Sequence, residues 1–71
     1  MLVQAEFTYK IKGIPYYIRS YKRIEVGQII TFAQNSGLPK FGRVTYAEGN
    51  LLDYKPVEMS HILPVRVTRC D

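Results

Sequence analysis

The stretch Ile24–Tyr46 decides the fold of this chain, and it reads IEVGQIITFAQNSGLPKFGRVTY. Its runs Gln28–Ala33 and Phe41–Tyr46 are rich in Val, Ile, Thr, Phe and Tyr, which favour β-strands. Between them, Gln34–Lys40 contains Asn, Ser, Gly and Pro, which are typical of turns. Two strand signals around one turn signal predict a β-hairpin, and this hairpin indicates a small β-barrel.

The length and composition of the chain indicate one globular domain. The chain has 71 residues, of which 46% are hydrophobic and 23% are charged. We therefore expect a single domain over residues 1–71, without a disordered tract. A chain this short buries only about 60% of the surface that its unfolded form exposes, so association with a second copy would help its marginal core.

The net charge of +4 is concentrated in one early segment. Residues 7–24 contain five basic residues and no acidic residue, while residues 25–71 contain equal numbers of both. Such a segment is where a polyanion would be expected to bind. The alternative is a solvated face that keeps a small domain in solution.

Two alternating segments precede the central hairpin. Met1–Lys12 alternates between apolar and polar residues, which predicts a half-buried strand with its odd-numbered residues inward. Lys12-Gly13 then predicts a tight turn, because Gly tolerates the positive φ of hairpin turns. The second strand is expected over Ile14–Ile24, with Pro15 at its start or on an edge. Its inward face would carry Ile14, Tyr16 and Ile18.

The outward face of this second strand would carry a row of alternating tyrosines and arginines. Tyrosine rings stack on bases, and guanidinium groups bind phosphate, so the row predicts a nucleic-acid surface. Antiparallel pairing would add the lysines of the first strand, and the basic residues near the hairpin tip would extend the surface. The predicted binding residues are Lys10, Lys12, Tyr17, Arg19, Tyr21, Lys22, Arg23, Lys40 and Arg43. The alternative is that tyrosine simply favours strands and arginine keeps a strand hydrated.

A fold-level resemblance rests on Val26-Gly27-Gln28-Ile29-Ile30-Thr31-Phe32 and Phe41-Gly42-Arg43-Val44-Thr45-Tyr46. These steps resemble the central strands of SH3-like barrels of the KOW and Tudor types. In those barrels an Asp usually stands where this chain has Gln28. The resemblance implies an SH3-like fold and transfers no function.

The last third of the chain completes the expected barrel. Gly49-Asn50 predicts a turn, and Leu51–Tyr54 predicts a short strand. Lys55–His61 predicts one helical turn with Pro56 near its start, and Ile62–Cys70 predicts the final strand. We therefore expect an all-β, five-stranded, SH3-like antiparallel barrel with one short 3₁₀ turn before the last strand.

Catalytic and metal chemistry have little support in the sequence. One His and one Cys are too few to close a zinc site, and the carboxylates do not cluster at ligand spacing. Ser60 and His61 are adjacent, so their side chains would point to opposite faces of an extended chain. Cys70 lies one residue from the end, where chains fray. We expect no enzyme activity, no catalytic residue, no metal and no cofactor.

The sequence also predicts where the protein works. Met1–Lys10 has no basic segment followed by an apolar one, which argues against a secretory signal. No run of about 18 apolar residues is present, so we expect no membrane span. A single cysteine fits a reducing compartment, and the expected location is the cytoplasm.

Two functions therefore stay open. The first is a non-catalytic module that binds DNA or RNA through its basic and aromatic strand face. The second is a protein-binding regulator or inhibitor, of the kind found in phages and mobile elements, acting alone or as a homodimer. Tyr and Arg dominate the energetics of protein interfaces too, so the row suits either partner.

Overall fold

The computed structural model describes residues 5–34 and 37–70. Every regular element within these ranges is a β-strand, which confirms the all-β prediction. The six strands are β1 (Ala5–Ile11), β2 (Ile14–Ser20), β3 (Ile29–Phe32), β4 (Phe41–Glu48), β5 (Leu51–Val57) and β6 (Val65–Arg69). The described ranges hold no helix long and apolar enough to cross a membrane.

The strands close into a barrel in the order β1-β2-β6-β3-β4-β5. The barrel was expected to be antiparallel, and this is wrong for two of its neighbouring pairs: four pairs run antiparallel, while β1 with β5 and β3 with β6 run parallel. At the level of fold this closed barrel is compatible with an SH3-like small barrel. The expected count of five strands was wrong: the structure has six, one for each strand segment that the sequence indicates. The segment at Leu51 is longer than predicted, and as β5 it pairs with β4 on one side and with β1 on the other, which closes the barrel.

The β1–β2 hairpin forms as the alternation predicts. Ile11 pairs with Ile14 across a two-residue turn, in which Lys12 has φ 52° and Gly13 has φ 81°. Positive φ at both central residues is the type I′ requirement, and this turn matches the twist of the strands. The odd-numbered residues of β1 face inward, since Tyr9 and Ile11 are each 2% exposed.

The second strand is shorter than expected and ends at Ser20. Beyond it the chain returns to the barrel and buries Ile24, whose backbone N–H donates to the hydroxyl of Tyr9 at 3.0 Å. This hydrogen bond satisfies a buried polar group that strand pairing would otherwise satisfy. Packing of Ile24, rather than continued pairing, therefore sets the end of β2.

The core is lined by the inward faces of all six strands. Its aromatic centre is Phe32, which packs edge-on against Tyr16 at 5.7 Å between ring centroids and tilted against Tyr54 at 5.1 Å. Gly42 lies beside Tyr54, and a Cβ at residue 42 would stand only 2.7 Å from the ring. The remaining buried members of the cluster are Tyr9, Ile11, Ile18, Ile24, Ile30, Val44, Leu52 and Val67.

The predicted helical turn at Lys55–His61 was wrong. Lys55, Pro56 and Val57 belong to β5 and pair with β4, and no 3₁₀ turn occurs between β5 and β6. Pairing along the long β4–β5 hairpin outweighs the local preference of proline for a helix start. The final strand is also shorter than predicted and begins at Val65.

Parts of two predictions lie outside the described residues. The first strand was expected to begin at Met1, and the structure describes it only from Ala5. The tip of the central hairpin was expected over Gln34–Lys40, and its residues 35 and 36 are outside the described ranges. The flanking strands β3 and β4 do pair antiparallel, which confirms the hairpin itself.

Candidate nucleic-acid interface

The outer surface of β2 and β6 carries a shallow groove. The two strands pair antiparallel with Tyr17 opposite Thr68, and continuing this register by two residues places Arg19 beside Arg66. These four side chains line a groove of about 280 Å³, which we call the β2–β6 groove. An aromatic ring, a hydroxyl and two guanidinium groups thus share one surface.

The alternation of β2 explains why this surface faces outward. Tyr16 and Ile18 are 4% and 1% exposed and point into the core. Successive side chains of a strand point to opposite faces, so Tyr17 and Arg19 point out of the barrel. On β6, buried Val67 places Arg66 and Thr68 outward in the same way.

Arg19 has an acidic partner on β1. Its Nη2 lies 3.1 Å from Oε1 of Glu6, which is the residue directly opposite in the strand pairing. The two side chains are 67% and 59% exposed, so water and salt screen the pair. Such a surface ion pair contributes at most about 1 kcal/mol, so Arg19 can exchange Glu6 for a phosphate at little cost.

The two predicted lysines of the first strand lie in different places relative to the groove. Lys10 lies opposite Pro15 in the pairing of β1 with β2. The next outward-facing pair along these strands is Thr8 with Tyr17, so Lys10 is one outward-facing position away from Tyr17. Lys10 thus extends the basic surface beside the groove. Lys12 instead places its Nζ 4.7 Å from the ring centroid of Tyr54, outside the groove.

Arg23 is held by contacts within the barrel. Its guanidinium lies over the rings of Phe7 at 5.1 Å and Tyr9 at 5.5 Å, and it donates a hydrogen bond to the carbonyl of Gly49. Arg23 thereby connects the turn between β4 and β5 to Phe7 and Tyr9 on β1. The structure gives Arg23 a structural role and does not place it in the groove.

Tyr21 and Lys22 follow the end of β2, so the predicted row does not continue through them. Both are exposed, Tyr21 to 70%, in the segment that returns the chain to Ile24. The regular outward alternation is therefore limited to Pro15, Tyr17 and Arg19.

Lys40 and Arg43 lie at different distances from the groove. The carbonyl of Lys40 accepts a hydrogen bond from the hydroxyl of Thr31 at 3.0 Å, and Thr31 is the parallel partner of Arg66. Lys40 is thus two strands away from the groove. Arg43 pairs with Lys55 on β4 and β5, on another side of the barrel.

Sequence reasoning missed Arg66 and Thr68. The alternation of the last strand, with Val65 and Val67 on one face, already indicated that these two residues face the other way. Which strand lies beside β6 could not be read from the sequence, because β6 inserts between β2 and β3. The groove therefore forms because the strand order places β6 beside β2.

The candidate metal-ligating and nucleophilic residues form no comparable cluster within the described ranges. No group of three or more His, Cys, Asp or Glu side chains there could hold a metal ion. The Ser60 hydroxyl is engaged locally, donating to the carbonyl of Ile62 at 2.9 Å and accepting from its N–H at 3.0 Å. Cys70 is partly buried, and its backbone N–H donates to the carbonyl of Pro15 at 3.0 Å.

Two tyrosines have a shifted pKa. Burial raises the pKa of Tyr54 above its usual value, and the charge of Asp53 adds to this. The pKa of Tyr46 is raised mainly by its hydrogen bond to Glu48, in which its hydroxyl donates at 3.1 Å. Neither residue lies in the β2–β6 groove.

Comparison with known proteins adds no relative. No protein-family model, curated protein or solved structure matches this chain.

Proposed function

We propose that this chain is a small non-catalytic module that binds nucleic acid through the β2–β6 groove. The observation that carries the proposal is the meeting of Arg19, Arg66 and Tyr17 in one open groove. The arginines would bind phosphate oxygens, and the tyrosine would stack on an unpaired base. The expectations of one domain, a KOW or Tudor-type barrel and a cytoplasmic location fit such a module.

Like charge on neighbouring strands supports this proposal. Arg19 and Arg66 are expected side by side, and adjacent like charges destabilise a strand pair. Of these two arginines, only Arg19 has an ion-pair partner among the described residues. A phosphate between the two guanidinium groups would relieve their repulsion and accept hydrogen bonds from both.

Single strands are the expected ligand. Stacking on Tyr17 needs a base whose face is free, and bases in a duplex are already stacked. Phosphate contacts alone would not distinguish single from double strands. We therefore expect the groove to prefer single-stranded DNA or RNA over a duplex.

The test is a fluorescence anisotropy titration with a labelled single strand of about 10 nucleotides, at about 50 and 200 mM salt. Wild-type binding should weaken with salt. The variant Arg19→Gln/Arg66→Gln should lose at least about tenfold in affinity, and its log–log salt slope should fall by about 1.4. Tyr17→Ala should lose more than Tyr17→Phe, because Phe retains a stacking ring.

The charge-matched comparison is Arg43→Gln/Lys55→Gln, which removes the same charge from a different side of the barrel. We expect a clearly smaller loss of short-strand affinity in this variant. Equal losses in the two double variants would show that the β2–β6 groove binds no better than another basic surface, and would contradict the groove as the binding site.

A protein-binding regulator is the second candidate, and one observation favours it. The connection between β5 and β6 exposes Met59, Ile62 and Leu63, which are 70%, 62% and 91% exposed. A contiguous exposed apolar patch is typical of interaction sites, and these three residues lie close enough in the chain to form one. A second copy of this chain would give the marginal core of a small barrel further burial.

A further inference from the structure

A second basic pair lies on the outer face of the β4–β5 hairpin. Arg43 and Lys55 are direct cross-strand partners, and both side chains are exposed. Directly opposed residues have Cβ atoms about 5 Å apart, so two cations in these positions repel each other. Within the described ranges neither side chain makes an ion pair. We call this pair the β4–β5 basic pair.

The two acidic residues within this hairpin, Glu48 and Asp53, lie nearer its turn than the basic pair, while the exposed Glu58 follows the end of β5. Asp53 pairs with Tyr46, beyond the irregularity in the β4 register, and its Oδ1 accepts from the backbone N–H of Tyr54 at 2.9 Å. Glu48 is engaged by the hydroxyl of Tyr46. Arg43 and Lys55 therefore form a local pair of cations suited to phosphate, with Asp53 and Glu58 on either side of Lys55 in the chain.

The strand order places the two basic surfaces on opposite sides of the molecule. In the closed order β1-β2-β6-β3-β4-β5, the boundary of β2 and β6 is three strand steps from the boundary of β4 and β5 in either direction. A strand too short to span half of the barrel's circumference would therefore contact only one of the two surfaces.

We propose that the β4–β5 basic pair binds the phosphate backbone of a second nucleic-acid segment, so that one molecule bridges two segments. This inference rests on the proposed function of the β2–β6 groove. The first segment would be held by phosphate contacts and stacking, and the second by phosphate contacts at Arg43 and Lys55.

The dimensions of the barrel allow two polyanions to bind at once. Its smallest extent is 22 Å. The Debye length at 0.1 M ionic strength is about 10 Å, so charges this far apart are largely screened from each other in solution. Repulsion between the two segments therefore would not prevent bridging at moderate salt.

The test is a bridging assay with two copies of one short thymidine strand, which cannot pair with itself. One copy is biotinylated and immobilised, the protein carries a dye, and the second copy carries a different dye. Wild-type protein should bind the immobilised strand and then retain the second strand. Arg43→Gln/Lys55→Gln should still bind the immobilised strand but retain at least about tenfold less of the second one.

The charge-preserving swap Arg43→Lys/Lys55→Arg is the matched control, and it should retain the second strand. Wild-type protein that coats the immobilised strand without retaining the second would overturn the inference. So would full retention by Arg43→Gln/Lys55→Gln, because bridging would then come from two grooves in a protein dimer. If wild-type protein does not bind the immobilised strand at all, the proposed function itself fails. The dye on the protein measures this binding separately from retention of the second strand.

Discussion

At the scale of single residues, Gly42 is the described glycine with the least space for a side chain, because it packs against Tyr54. Gly42 pairs with Pro56 on the strand that carries Tyr54, and it leaves room for the tyrosine ring. The ring in turn packs on Phe32 and lies beneath the ammonium of Lys12. The glycine is needed here for the space it leaves.

We expect Gly42→Ala to destabilise the protein by about 1–3 kcal/mol, because the new Cβ would stand 2.7 Å from the ring of Tyr54 and the ring would have to move. Urea denaturation measures the loss. The cost should shrink when Tyr54→Leu is present as well, since the ring that the methyl group meets is then absent. An equal cost in both backgrounds would show that the strain arises elsewhere.

At the scale of elements, the β5–β6 connection separates the two candidate functions. Its apolar side chains are exposed, so replacing them should affect the barrel little. We expect the triple variant Met59→Ser/Ile62→Ser/Leu63→Ser to change the free energy of unfolding by no more than about 0.5 kcal/mol per position in urea denaturation. A loss well above that would mean that these side chains are packed in solution.

The same variant reports on association. If a second copy covers this connection, sedimentation of wild-type protein should show a concentration-dependent dimer, and the triple variant should be monomeric. Val26→Ser is the control, because Val26 is exposed and lies elsewhere in the chain. Unchanged sedimentation of the triple variant would argue against this homodimer.

The individual strands and turns also show which features the local sequence could predict and which it could not. The β1–β2 hairpin followed from the alternation and from Lys12-Gly13, because both signals are local and agree. The helical turn at Lys55–His61 was a local signal too, yet pairing with β4 outweighed it. The predicted row of tyrosines and arginines on the second strand ends at Arg19, because the chain leaves the strand and buries Ile24 beside Tyr9.

At the scale of the whole molecule, stability should fall at alkaline pH. Burial raises the pKa of Tyr54 above 10.0, so the folded barrel holds this proton more tightly than the unfolded chain. Stability from this group is fully present below about pH 10, the pKa of an unfolded tyrosine, and is lost as the pH rises through the folded pKa.

Urea denaturation at about pH 8 and about pH 11 measures this effect. We expect the free energy of unfolding to decrease less in Tyr54→Phe than in the wild-type protein. Tyr21→Phe, at an exposed tyrosine, should behave like the wild type. An equal decrease in wild type and Tyr54→Phe would show that Tyr54 does not contribute to the alkaline loss.

The sequence by itself determined the strand class, the inward faces and the two-residue turn, because these depend on alternation and on residues adjacent in the chain. It also indicated that Tyr17 and Arg19 share one face of the second strand. The tertiary structure alone decided that Arg66 joins them and that Arg43 faces Lys55 on the opposite side. Those neighbours depend on strand order and register, which arise from long-range pairing and closure of the barrel. A local pattern does not encode them.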